Sequence, residues 1–83
     1  MATIDAVKNI LGETLQLGDR TKQLGAGTPL LGGIPEFDSA AVITVILSLE
    51  DRFGIIVEDE EVSAETFESV GSLAAFIDRK IAE

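Results

Sequence analysis

The stretch "DSAAVITVILSLEDRFG", Asp38 to Gly54, decides the fold. Its centre, "AVITVIL", is rich enough in β-branched residues to pass for a buried strand. Length and punctuation argue otherwise. Fifteen residues, Ser39 to Phe53, pass without Gly or Pro, and Val42, Val45, Ile46, Leu49 and Phe53 fall on one helical face. Asp-Ser supplies a start and Gly54 a stop, so the segment reads as a helix.

Upstream, Thr3 is positioned to cap a first helix in which Ile4, Val7, Ile10, Leu11 and Leu15 recur at helical spacing, with an end expected near Leu17, before Gly18. From Gly18 to Phe37 stand five glycines and both prolines, which predicts one long loop without a regular element. Leu24, Leu30, Leu31, Ile34 and Phe37 are spaced through it and are expected to tether it to the core. Downstream, Ile55 and Val57 lead to "DEEVSAETF", enough for a helix of one or two turns with Val62 and Phe67 inward. Ser69 then caps a last helix through Val70, Leu73, Ala74, Phe76, Ile77 and Ile81, with Arg79 and Lys80 where the helix dipole favours cations. The expected fold is all-α: one domain over residues 1–83, a small antiparallel bundle of three main helices plus one short helix, with a long loop between helices one and two.

Composition removes most catalytic designs. The 83 residues include no Cys and no His, which excludes disulfides and zinc–thiolate sites and takes away the commonest general base. Paired carboxylates need a pocket that so short a chain struggles to enclose. No catalytic residue and no metal ligand is therefore assigned, and the chain does not read as an enzyme. The run Glu58 to Glu61 lacks the alternating ligands and central glycine of a calcium loop. No apolar run approaches the ~18 residues of a membrane span and no leader precedes Ile4, which reads as cytoplasmic.

The net charge of −9 is concentrated. Ten acids lie between Glu36 and Glu68 against one base, Arg52, while both ends of the chain sum to zero. Phosphate polymers would be repelled, so nucleic acid is not an expected partner. Basic protein surfaces are, although the acids could equally serve solubility.

Ser39 admits two readings. Either Asp38 or Ser39 satisfies orphan N–H groups as an ordinary cap. Alternatively, a phosphate ester on Ser39 would sit where free N–H groups and the helix dipole stabilise an anion.

The order of these parts, with "FDSAAVITVILSLEDRFGI" followed by an acidic stretch and a closing amphipathic helix, resembles the acyl carrier protein family over essentially the whole chain. The resemblance implies that Ser39 receives 4′-phosphopantetheine from coenzyme A, and that Asp38 is read by the phosphopantetheinyl transferase and its magnesium ion. It further implies that helix two and the following acids are read by basic patches on acyl-loading and acyl-transferring enzymes. The chain would hold an acyl group as a thioester, as a monomer, for lipid, polyketide or exopolysaccharide-linked biosynthesis. The only thiol would then be the arm's own.

Two departures stand out. Where the family usually has leucine after the serine there is Ala40, and acids common in the next turn are replaced by Ala41 and Thr44. These leave attachment intact but point to a dedicated enzyme system rather than ordinary fatty-acid synthesis. The wording around "PEFDSAAVITVILSLEDRFGI" and "SAETFESVGSLAAFI" is similar to carriers associated with exosortase and exopolysaccharide clusters, while "DRFGI" resembles D-alanyl carrier proteins. A D-alanyl or other aminoacyl carrier, or an unmodified acidic interaction adaptor, is the alternative. With one face of helix two in the core, Ala40, Ile43 and Leu47 remain on another. They are expected to form a partner surface, with Glu50, Asp51 and Glu58 flanking it, unless the loop folds over them.

Overall fold

The computed structural model describes residues 2–82. Three α-helices, α1 (Thr3–Thr14), α2 (Ser39–Phe53) and α3 (Val70–Ala82), are joined by segments that contain two short 3-10 turns, Gly18–Gln23 and Asp59–Glu61. No strand forms among the described residues, only an isolated bridge between Pro29 and Ser69. Helix α1 lies between the others and packs on both. The core gathers Val7, Leu11, Leu30, Val45, Leu49, Val70, Leu73 and Ile77, all essentially inaccessible to water. Each position follows from a helical stripe or a loop anchor in the sequence.

The ends of α1 differ from expectation. Thr3 is not a cap. Ala2 occupies the N-cap without a side-chain bond, and the Thr3 hydroxyl instead donates to the Asp78 carboxylate of α3, fastening the start of one helix to the other. The helix also stops at Thr14 rather than near Leu17. Gln16 adopts a left-handed conformation at φ 55°, the Leu17 N–H reaches the Gly12 carbonyl at 2.9 Å, and the Gln16 N–H reaches that of Glu13 at 3.4 Å. This is a Schellman closure with glutamine where glycine is usual. It turns Leu15 and Leu17 into the core.

The long loop is tethered, as its apolar residues imply, with Leu24, Leu30, Ile34 and Phe37 buried. Leu31 is the exception and stays exposed. The expectation of no regular element also fails, because Gly18–Gln23 forms a 3-10 turn that seats Thr21 directly against Gly12, where no side chain would fit. Main-chain bonds complete the tether: the Val70 N–H donates to the Thr28 carbonyl at 3.0 Å and the Gly71 N–H to that of Ala26 at 2.8 Å. The loop thus satisfies amides that a helix N-terminus leaves orphaned. Gly71 permits the approach, since a Cβ there would lie 2.8 Å from the Ala26 oxygen.

Helix α2 spans the residues its sequence predicts, and Gly54 closes it in the left-handed region. Val45 and Leu49 are buried, while Val42, Ile46 and Phe53 pack partly covered against the core. The expected helix over "DEEVSAETF" stands at the lower end of the one or two turns anticipated. One 3-10 turn forms, closed by reciprocal bonds between Glu58 and Glu61, and bends then carry Phe67 inward against Phe37, their ring centroids 5.7 Å apart. Ser69 does cap α3, exchanging bonds with Ser72: the Ser72 N–H reaches Ser69 Oγ at 3.1 Å and the Ser69 N–H reaches Ser72 Oγ at 2.9 Å. Ile81 is exposed, not buried, because α1 begins opposite Asp78 and nothing of α1 lies beyond it to cover the last turn.

Candidate functional site

At the start of α2 the two polar residues divide their work. Asp38 is the N-cap, its side chain accepting the Ala41 N–H at 2.9 Å and its carbonyl the Val42 N–H at 3.0 Å. Ser39, the first helical residue, is exposed, and its hydroxyl has no hydrogen-bond partner among the described residues. The amides of Ser39 and Ala40 have none either. Helix α3 is built the opposite way, with its first four amides taken by Thr28, Ala26 and Ser69. The open end of α2 therefore combines a free primary alcohol, two unpaired N–H donors and the positive end of the helix dipole. A phosphodiester on Ser39 fits: it needs an accessible hydroxyl and gains from donors facing its anionic oxygens.

The approach to Ser39 is held from two sides. Phe37 is buried against Phe67, and the Glu36 carboxylate receives the Arg20 guanidinium. That bond, with the Arg20 charge beside it, holds the Glu36 carboxyl below its ordinary pKa. Nothing in the sequence announces this pair, whose members stand in different segments.

The proposed partner residues do not form one equivalent set. Ile43 and Leu47 are 63% and 59% exposed, Ala40 and Asp51 are exposed with them, and the spacing of 3, 4 and 4 residues aligns all four on one face. The loop does not cover this stripe. Thr44 turns its hydroxyl to the Ala40 carbonyl at 3.2 Å, so it offers little polarity outward. Glu50 is half-buried, and its Oε2 accepts the Val57 N–H at 2.8 Å, bracing the chain after α2. Glu58 is exposed beyond the helix, at the 3-10 turn.

The acid run is less isolated than its sequence suggests. Lys80 of α3 reaches both Glu61 carboxylate oxygens, at 2.9 and 3.1 Å, so Arg52 is not its only counter-charge. The Glu58 N–H and then Lys80 hold the Glu61 carboxyl below its ordinary pKa.

A helical bundle presenting an accessible serine at an open helix end suits a domain that carries a covalent group. The chain belongs to the phosphopantetheine attachment site family, whose profile matches residues 5–77. It is similar over its whole length to the holo acyl carrier protein of Nitrosomonas europaea, solved in solution by NMR: 51% identity, complete coverage of both chains and a TM-score of 0.92. It is also 41% identical over 44 residues to an acyl carrier protein of an Exiguobacterium species. That match spans 53% of this chain and 53% of that relative's length. The family's covalent group is phosphopantetheine. No helix among the described residues is long and apolar enough to cross a membrane.

Proposed function

We propose that Ser39 is the attachment point of 4′-phosphopantetheine and that the chain carries an acyl group for partner enzymes without catalysing a reaction itself. The observation that carries this is the geometry at α2: a free Ser39 hydroxyl beside two unpaired amides, with the adjacent carboxylate, Asp38, committed to capping. In the modification, Ser39 Oγ forms a bond to the pantetheine-bearing phosphorus of coenzyme A and gives its proton to a base of the transferase, the phosphoanhydride breaks, and 3′,5′-ADP leaves. Asp38 holds the first turn rigid and presents one carboxylate oxygen to the transferase and its magnesium ion. Once attached, the group supplies a terminal thiol on which cargo rides as a thioester. Ala40, Ile43 and Leu47 then meet the partner by apolar contact, with Asp51 and Glu58 as the free flanking charges and Glu50 as the brace behind them.

Because Ala41 and Thr44 stand where the family usually has acids, a dedicated acyl-transferring system, of the exopolysaccharide-linked kind, fits this surface better than general fatty-acid synthesis. The protein acts as a cytoplasmic monomer in this reading. With coenzyme A, magnesium and a broad-specificity transferase, the intact mass should rise by one phosphopantetheine, and Ser39→Ala should fold and stay unmodified. Wild-type protein that no transferase modifies, or modification surviving in the variant, refutes the assignment. The first result would restore the adaptor reading. The mass of the protein from its native cell would identify an acyl or an aminoacyl cargo.

A further inference from the structure

The run into Ser39 borders an open cavity at the surface. Residues 33–35 form part of the wall of this cavity, of about 170 Å³, which Leu17, Arg20, Leu24 and Thr28 also line. Ile34 is buried in the core, while Gly33 and Pro35 are exposed beside the cavity. Ile34 and Phe37 anchor the run on either side of Glu36, and the Phe37 N–H donates to the Ile34 carbonyl at 2.9 Å. Between these anchors a further tie is the ion pair from Arg20, itself on the rim of the cavity, to Glu36. Arg20 is a firm post, because its 3-10 turn is locked to α1 by the contact of Thr21 with Gly12 and its own N–H donates to the Leu17 carbonyl at 3.1 Å. The Glu36 carbonyl in turn accepts the Asp38 N–H at 3.1 Å, so displacement of Glu36 passes directly to the cap. The second Glu36 oxygen is shielded from water without a partner. Removing Arg20 would leave that carboxylate unpaired, and it would swing outward to be hydrated.

We propose that Arg20 is a positioning residue for modification at Ser39, acting through Glu36 to brace the approach to α2 across the cavity. The proposal rests on Ser39 being the attachment point. Arg20 touches no reacting atom in this scheme; it restricts the wandering of the Asp38–Ser39 turn, so its loss lowers the fraction of encounters in which the hydroxyl is aligned.

The test compares the full chain with Arg20→Gln, Glu36→Gln and the exchanged pair Arg20→Glu with Glu36→Arg. Two quantities are read: kcat and KM for transfer from coenzyme A by a broad-specificity transferase, and hydrogen exchange of the Ala41 amide in the unmodified chain. Each single variant should lose roughly three- to fivefold in kcat, the range a half-exposed ion pair can move, with faster Ala41 exchange. The exchanged pair should recover both. Unchanged kcat and exchange in the single variants overturn the proposal. So does a loss that the exchanged pair fails to recover, since a direct contact between Arg20 and the transferase would behave that way. Failure of the wild-type chain to be modified would count against the Ser39 assignment instead, and Ala41 exchange would still decide whether the brace exists.

Discussion

Replacing Leu47 by aspartate should leave the bundle folded and slow acyl transfer. The side chain is 59% exposed, so truncating its apolar part removes little core contact. The change in helix propensity and surface environment together amounts to about 0.5–1 kcal/mol. Covering the exposed part is a different matter. Full burial of a leucine is worth roughly 1.5–3 kcal/mol, and about six-tenths of that remains available to a partner, or ~1–2 kcal/mol. That corresponds to roughly a 5- to 30-fold loss in kcat/KM, increased further by the cost of dehydrating the new carboxylate. Ile43→Asp, at 63% exposure, should behave alike. The control is Leu49→Asp on the buried face, which should unfold the chain at a cost of several kcal/mol. Thermal melts would establish folding, and single-turnover loading by the cognate enzyme would measure transfer. A Leu47→Asp protein that transfers as fast as wild type would remove this face from the docking surface. One that unfolds would contradict its exposure.

Gln16→Gly should stabilise the chain by about 0.5–1 kcal/mol, because relief of the left-handed strain outweighs the greater freedom of the unfolded glycine; denaturant unfolding would show it, and a loss of stability would refute the Schellman reading. Glu61→Gln should lower the melting temperature near neutral pH by weakening the tie to Lys80. The Glu61 pKa is lowered in the folded state, so its contribution is present above the unfolded value and is lost as pH falls through the folded one. The gap between wild type and Glu61→Gln should therefore close below the ordinary glutamate value of 4.5, and a gap independent of pH would show that the carboxylate charge is irrelevant.

Local chemistry made α2 legible. Fifteen uninterrupted residues with one apolar face, an Asp-Ser opening and a terminal Gly54 specify a helix whatever packs against it, and the same punctuation placed Ser39 at an N-terminus. The cap of α3 was readable for the same reason, as Ser69 and Ser72 act on neighbours three residues away. The class of protein, and the serine proposed for attachment, follow from such short-range patterns together with their order along the chain.

The end of α1 was not readable, because Gly18 is the stronger local stop and Gln16 enters the left-handed region only where the closure also buries Leu15 and Leu17. Thr3 lost its role as a cap to a partner 75 residues away. Separations of 19 and 16 residues likewise hid the Glu61–Lys80 tie and the Arg20–Glu36 brace, since side-chain charge specifies no partner until the backbone brings two segments together. Tertiary structure also settled which apolar residues of α2 would remain wet. The helix offers two greasy faces, and which one is covered depends on what lies opposite: α1 and the loop anchors take Val45 and Leu49, while the loop spends its carbonyls on the start of α3 and leaves Ile43 and Leu47 open beside Ser39.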